Sequence, residues 1–216
     1  MQGYVVRLGS AGLVTLTGGK LNTGEISRTN MTRTGVSEPF RGYHLIGNPY
    51  LSNLDWSLVI KENILSTMWY RTVNTSNTMV FDTYNASLGV GTNNNGNGAV
   101  TQYIPPMQAV WVRVDADGHT GSLTFNNSMR SHQTDNLLKS DKDKDMVRLQ
   151  ISNGNNTDES IIVFNPNANS GFDDFDSQKM FADNKDIPQL YSIAEGEKLV
   201  INGLENTESN SIIPLG

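Results

Sequence analysis

A short strand motif that occurs twice constrains the fold of this chain more than any other feature. Its copies are residues 1–7, MQGYVVR, and residues 107–113, MQAVWVR. Side chains on a β-strand point alternately to the two faces of the sheet, so the alternation in both copies predicts strands with one buried face. In the second copy Val110 and Val112 share a face, which places Trp111 on the other.

Each copy is followed by a turn-like segment and a second alternating run, which predicts two β-hairpins. For the first hairpin, residues 1–17, we expect pairing with the edge of a sandwich and a buried face carrying Val6, Leu8, Val14 and Leu16. We interpret the two copies as a domain-sized repeat. Chance similarity between two hairpins is the alternative.

The rest of the chain has the same character. Short apolar or alternating runs lie between turns rich in Gly, Asn and Pro. They are found at residues 41–50, where Gly-Asn-Pro breaks the strand, and at 67–71, 79–84, 110–114, 123–125, 147–151, 161–164 and 199–201. Asp55 is placed to cap a short helix from Trp56 towards Lys61. The predicted fold class is all-β, with two β-sandwich modules of the jelly-roll or immunoglobulin-like kind and one short helix.

The module boundaries follow from a change in composition. Residues 131–144 lose the strand pattern and end in alternating Asp and Lys, which is typical of a solvated connection. We therefore predict a first module at residues 1–134, a linker at 135–144 and a second module at 145–216.

Charge and composition exclude several functional classes. A net charge of −6 disfavours binding to a nucleic acid backbone, and no apolar run is long enough to cross a bilayer. The absence of cysteine excludes disulfides and thiolate chemistry. His44, His119 and His132 are scattered without the spacing of a zinc site. No catalytic constellation stands out, and we expect no enzymatic activity.

Residues 42–56 carry the spacing GxxLxGNPYxSxxDW, with Gly47-Asn48-Pro49-Tyr50 at its centre. This segment resembles a signature of large extracellular proteins of Bacteroidetes that end in a type IX secretion sorting domain. Further similar segments follow in the same order at residues 103–109, 123–130, 158–164, 168–173, 179–181, 188–192 and 199–202. The resemblance therefore spans nearly the whole chain.

The resemblance implies a secreted or cell-surface protein and an accessory role beside adhesive or glycan-handling modules. The expected partners are neighbouring domains of the same polypeptide, with glycans and host or extracellular-matrix proteins as further candidates. Such proteins usually continue beyond residues 212–216, so truncation of the second module at its C-terminus is one expectation.

Three aromatic residues are candidate ligand contacts, because ring faces can stack on the apolar side of a sugar: Trp111, Tyr103 and Trp69. Core packing is the alternative for all three. No cofactor is required by the sequence, but calcium is an alternative where loop carboxylates could converge. The candidate calcium ligands are Asp158, Glu159, Asp173, Asp174 and Asp176. Ordinary turn and cap chemistry is the competing interpretation.

Three hypotheses about function follow. The preferred one is a non-catalytic structural or adhesive β-sandwich region of a secreted or surface protein. The second is a carbohydrate-binding module, suggested by the aromatic residues and by the polar, asparagine-rich loop at 92–98, which we expect to be mobile. The third is an accessory region of a glycoside hydrolase or peptidase, which would require carboxylates facing a cleft.

Overall fold

The structure, a computed structural model, describes residues 2–5, 10, 12–13, 15, 17–34, 40–132, 144–205 and 212–216. Within these ranges the regular elements are sixteen β-strands and two 3-10 helices of three residues each. The chain is therefore all-β and sandwich-like, which confirms the predicted fold class. None of the described helices has the length and apolar character needed to cross a membrane.

The contacts between residues divide the chain into two compact units. The first comprises Met1–Ile64 and Tyr103–Thr134, and the second comprises Leu65–Gln102 and Asp135–Gly216. The middle segment, Leu65–Gln102, thus groups with the C-terminal part of the chain. The proposed linker lies outside the described residues except for Lys144, and the predicted modules at 1–134 and 145–216 stay a prediction.

Eight of the described strands lie in the first unit. They are β1 (Ile26–Thr32), β2 (Tyr43–Gly47), β3 (Asn53–Asp55), β4 (Ile60–Glu62), β8 (Tyr103–Ile104), β9 (Ala109–Arg113), β10 (Thr120–Phe125) and β11 (Arg130–Ser131). Within the unit β1, β10 and β4 form one antiparallel sheet, β11, β3 and β8 form another, and β2 pairs with β9. Its 3-10 helices are Trp56–Leu58 and Asn127–Met129.

The second copy of the strand motif forms β9, and its predicted faces are confirmed. Val110, Val112 and Val114 are fully buried, while Trp111 on the opposite face is half-buried. The predicted hairpin is wrong, however, because β10 pairs with β1 and β4 and not with β9. Both edges of β10 are occupied, so the chain after β9 crosses to a different sheet.

Gly3, near the start of the first copy of the motif, forms a backbone hydrogen bond to the edge of β2. The Gly3 amide donates a hydrogen bond of 2.9 Å to the Leu45 carbonyl, whereas the side chains of Tyr4 and Val5 are exposed. The expected buried face of this hairpin carries Val6, Leu8, Val14 and Leu16, which lie outside the described residues.

The predicted helix from Asp55 to Lys61 is shorter than expected. Asp55 does act as the cap, since its carboxylate accepts the amide of Ser57 at 3.0 Å. The helix ends after one turn at Leu58, because the chain becomes extended at Val59 and enters β4. Pairing of β4 with β10 supplies the backbone hydrogen bonds that a longer helix would have made.

Asn48, at the centre of the GNPY segment, joins three stretches of the first unit. Its Nδ2 lies 2.9 Å from the Ser52 carbonyl, 2.8 Å from that of Ile104 and 3.1 Å from that of Pro105. Its Oδ1 accepts the amide of Tyr50 at 2.9 Å. One amide side chain therefore uses both its donor and its acceptor to shape the turn after β2.

The aromatic residues of the signature are core residues. Tyr50 is buried, its hydroxyl donates to the Gly24 carbonyl at 2.7 Å, and the Arg130 guanidinium lies 5.4 Å from the centre of its ring. Trp56 is fully buried, with the Lys61 ammonium 4.4 Å from its ring. The conspicuous sequence pattern thus encodes a fold motif.

The second unit contains the other eight strands. They are β5 (Thr67–Val73), β6 (Met79–Asn85), β7 (Val90–Gly91), β12 (Met146–Ser152), β13 (Thr157–Phe164), β14 (Ser177–Gln178), β15 (Ser192–Ala194) and β16 (Glu197–Leu204). Here β5, β6 and β7 form an antiparallel set, and the other sheet runs β12, β13, β16, β14 with β15 also on β16. β13 and β16 pair in parallel, and the remaining pairs are antiparallel.

The apolar core of the second unit joins the β7 region to the central strands of the larger sheet. It consists of Leu88, Val90, Ile161, Val163, Val200 and Ile201. β12 is less covered than the central strands of this sheet. Val147 and Ile151 are exposed because β12 is the edge strand of its sheet, and the face carrying Arg148 is directed at Glu159 instead.

Replacing Asn48 with alanine should destabilise the protein by about 2 to 3 kcal/mol, because buried carbonyls lose their donor and the turn loses its acceptor. Denaturant unfolding measures the change. Gln108→Ala is the matched control, since Gln108 is exposed, and it should change stability by less than about 0.5 kcal/mol. An Asn48→Ala protein as stable as the control would refute this account of the turn.

Candidate functional site

The second unit buries several carboxylates, and β13 carries two of them side by side. Asp158 and Glu159 are adjacent in an extended strand, so their side chains point to opposite faces of the sheet. Both are buried, at 3% and 1% exposure. Because a carboxylate loses its hydration when buried, each needs donors from the protein.

Asp158 forms a buried ion pair with Lys179. The Lys179 ammonium lies 2.5 Å from both carboxylate oxygens, and the Leu190 amide donates to Oδ2 at 2.6 Å. Burial lowers the pKa of Lys179, an effect that the neighbouring Asp158 charge opposes. The pair holds the segments after β14 and before β15 against β13.

Glu159 is held on the other face of β13. Its Oε2 accepts the Asn93 amide at 2.9 Å and the Arg148 guanidinium at 3.3 Å, and Oε1 accepts Gln150 at 3.4 Å. Arg148 also donates to the Gly91 carbonyl at 3.1 Å. Glu159 therefore connects the edge strand β12 to the loop that follows β7.

Asp173 and Asp176 organise the loop before β14. Asp173 accepts the Asn169 amide at 2.9 Å and the Phe175 amide at 2.8 Å. Asp176 is 1% exposed and accepts the amides of Asp173 and Gly203, both at 2.9 Å. A β-carbon at Gly203 would collide with Phe175, so only glycine allows this close approach. Burial raises the pKa of Asp176 to about 7.

Asp174 is exposed and binds two serines. Its Oδ1 accepts the Ser66 amide at 2.8 Å, while Oδ2 accepts the hydroxyls of Ser66 at 2.5 Å and Ser87 at 2.6 Å. The carboxylate thus joins the start of β5 to the turn after β6.

The five candidate calcium ligands are therefore not brought together around one point. Each one has protein donors on its oxygens, and Asp158 has a cation of its own. Across the described ranges, no group of three or more His, Asp or Glu side chains is arranged to hold a metal ion. Calcium binding at these residues stays a prediction.

Sequence reasoning missed Asp82 on β6, a fully buried carboxylate that accepts five hydrogen bonds. Its Oδ1 accepts the Thr92 hydroxyl at 2.9 Å and the Asn94 amide at 2.7 Å. Its Oδ2 accepts the Asn95 amide at 3.2 Å, the Asn95 side chain at 2.6 Å and the Thr72 hydroxyl at 3.2 Å. Burial raises the pKa of Asp82, and these hydrogen bonds oppose the rise. The loop expected to be mobile is thus bonded to a buried anion.

The three candidate aromatic contacts have different environments. Trp69, in the second unit, is fully buried, and its indole nitrogen donates to the Gln178 carbonyl at 2.9 Å. It is a core residue without a ring face open to a ligand. Tyr103 and Trp111, in the first unit, are half-buried on β8 and β9. Ligand contact at these two stays a prediction.

A polar groove of about 570 Å³ lies in the second unit beside the β5–β6 and β12–β13 turns. We call it the asparagine groove; it is lined by Ser76, Thr78, Asn153, Asn155, Asn156, Asn184 and Asp186. The two turns are joined directly, since Asn74 Nδ2 donates to Asn156 Oδ1 at 2.9 Å and the Ser76 hydroxyl donates to the Asn155 carbonyl at 2.5 Å.

A second cavity of about 340 Å³ adjoins the groove and shares Thr78 and Asn184 with it. Here the Arg71 guanidinium lies 5.8 Å from the centre of the Phe81 ring and pairs with Asp183 at 2.7 Å. An aromatic side chain and a run of amides are thus placed next to each other on one surface.

Part of the asparagine groove has a signal in the sequence. Residues 74–77 and 153–157 are asparagine-containing segments between strand-like runs, and their composition is typical of turns. No comparable pattern marks Asn184 or Asp186, which lie outside any strand. That the two turns pack together depends on the order of strands in each sheet, which periodicity does not report.

The raised pKa of Asp176 predicts a pH dependence of stability. The pKa of Asp176 is about 7 in the folded protein, whereas an unfolded aspartate has a pKa of about 3.9. Between these pH values the folded state therefore binds more protons than the unfolded state. The free energy of unfolding should fall as pH rises from about 4 to 7. Asp176→Asn cannot ionise and should flatten that slope, measured by denaturant unfolding across this range. Asp186→Asn, at an exposed carboxylate, is the control. An unchanged slope in Asp176→Asn would show that this group is not protonated in the folded state.

Comparison with known proteins identifies the family of the chain. Residues 2–216 match the model of a family described as a domain of unknown function, DUF8693. No curated protein and no solved structure matches the chain. Since the match covers nearly the whole sequence, the chain belongs to the DUF8693 family.

Proposed function

We propose that this chain is a non-catalytic structural or adhesive β-sandwich region of a secreted or cell-surface bacterial protein. The observation that carries the proposal is the use of its buried carboxylates. Asp82, Asp158, Glu159 and Asp176 all accept hydrogen bonds from backbone or side-chain donors of their own unit. These hydrogen bonds connect loops to strands, so the carboxylates stabilise the fold, as a structural role requires.

The geometry of these groups differs from that of catalytic acids and bases. A general acid or base must reach a substrate atom at hydrogen-bonding distance. Asp82 is fully buried, and Asp158 and Glu159 point to opposite faces of β13. A pair of carboxylates facing across a cleft, as glycoside hydrolysis requires, is not formed by these residues.

The extracellular location is supported by the resemblance of residues 42–56 to the signature of type IX secretion substrates of Bacteroidetes. In this structure the same residues build a turn and its core, as the hydrogen bonds of Asn48 and the burial of Trp56 indicate. A shared fold motif of this kind fits a β-sandwich that recurs in long surface proteins, with neighbouring domains of the same polypeptide as partners.

Two measurements test the proposal. The purified chain should release no reducing ends from polysaccharides, measured against a heat-denatured control. Incubation of the chain with casein should likewise produce no new amino groups above that control. Protease added to intact cells of the source organism should remove the chain, detected with an antibody, while a cytoplasmic marker is spared. Turnover abolished by Asp183→Asn or Asp186→Asn in a folded protein, or a chain protected until lysis, would contradict it.

A further inference from the structure

We propose that the asparagine groove of the second unit binds a neutral saccharide, with Phe81 in the adjoining cavity contacting the apolar face of a sugar ring. This goes beyond the structural role, because a scaffold needs no ligand. Neither Trp69, Tyr103 and Trp111 nor the 92–98 loop lines these two cavities.

The groove presents donors and an acceptor that the protein itself does not use. Among the described residues, the Asn155 side-chain amide has no hydrogen-bond partner, and Asp186 accepts none through its carboxylate. Asn184 accepts the Asp186 amide through Oδ1 at 2.9 Å, which leaves its Nδ2 as a donor. A primary amide offers a donor and an acceptor side by side, which matches two neighbouring hydroxyls of a sugar.

Asn156 is the anchor of this arrangement, since the residue is only 7% exposed. Asn74 Oδ1 accepts the amides of Ser76 at 3.0 Å and Thr78 at 2.9 Å, so its Nδ2 must face Asn156. The atom of Asn156 that receives it is therefore the oxygen, at 2.9 Å. Asn156 lines the groove, and no donor bond from its Nδ2 is formed among the described residues. This donor is therefore open to a hydrogen bond with a ligand hydroxyl.

Phe81 supplies the apolar part of the site. Phe81 lines the cavity that shares Thr78 and Asn184 with the groove, as do Arg71, whose guanidinium lies over the Phe81 ring, and Met79, which is 43% exposed. Pyranose rings carry C–H groups on one face and hydroxyls at the edge. A ring placed over the Phe81 end would direct its hydroxyls towards the amides.

The charges favour a neutral ligand. The carboxylates of Asp183 and Asp186 are exposed at the two cavities, and the Arg71 guanidinium is already paired with Asp183 at 2.7 Å. Among the residues that line the cavities, two carboxylates outnumber one guanidinium, so uronic acids, sialic acids and phosphates would meet net negative charge from the lining. Neutral hexoses and pentoses would not.

The binding test uses the full chain and a panel of neutral hexasaccharides: cellohexaose, laminarihexaose, maltohexaose, mannohexaose and xylohexaose. Each is added at about 10 mM, a concentration that detects weak binding near 1 mM, and nitrogen–proton NMR spectra are recorded. At least one should shift the side-chain amide signals of Asn155, Asn156 and Asn184. Hexagalacturonic acid should shift them far less. No shift with any neutral member, or shifts confined to other residues, would overturn the proposal.

Variants then locate the site. Asn155→Ala and Phe81→Ala should weaken binding of the positive saccharide at least tenfold by titration. Asn167→Ala is the matched control, because Asn167 is an exposed asparagine of the same unit and lies outside both cavities. Its affinity should equal that of the unaltered protein. Unchanged binding in Asn155→Ala, which removes only an exposed amide, would refute the site even if Phe81→Ala were unstable. Neither negative result touches the structural role, which needs no sugar.

Discussion

The burial of carboxylates in the second unit is the constraint on which its loops depend. An ionised carboxylate removed from water loses several kcal/mol of hydration unless donors replace it. Asp82 obtains five such donors, most of them from the 92–98 loop, and Asp158 obtains Lys179. The conformations of these segments follow from the need to satisfy the buried charge.

In the first unit a neutral amide side chain fixes the turn conformation, whereas in the second unit buried carboxylates hold the loops. Asn48 donates to carbonyls of two separate segments and accepts the Tyr50 amide, so a neutral side chain defines the turn after β2. Being uncharged, it avoids the desolvation cost of a carboxylate. Burial of Tyr50 and Trp56 beside it completes the motif that the GNPY pattern marks.

Alternation predicted the strands well, and it failed where pairing partners mattered. Val110 and Val112 are buried as their spacing indicates, yet β9 and β10 belong to different sheets, because β1 and β4 occupy both edges of β10. Similarly, Ile151 on β12 is exposed because that strand lies at an edge. A period of two reports which residues share a face, but not what covers it.

The candidate site was harder to predict for the same reason. Acidic clusters suggested calcium, but convergence depends on strand direction, and Asp158 and Glu159 diverge across one sheet. Asp82 sits alone in an ordinary strand sequence and gave no signal. The asparagine groove needs two turns distant in sequence to meet, which the Asn74 to Asn156 hydrogen bond shows only in three dimensions.

The most direct test of the central claim is amide hydrogen exchange in Asp82→Asn. In the variant, the side-chain amide nitrogen of residue 82 replaces one carboxylate oxygen and faces N–H or O–H donors that it cannot accept. The 92–98 loop should therefore open more often. Exchange at the Asn94 and Asn95 amides should become at least about tenfold faster, beyond any change at β13 amides, while Asp183→Asn leaves them unaltered. Unchanged protection at Asn94 and Asn95 in a folded Asp82→Asn protein would show that the buried carboxylate does not hold the loop.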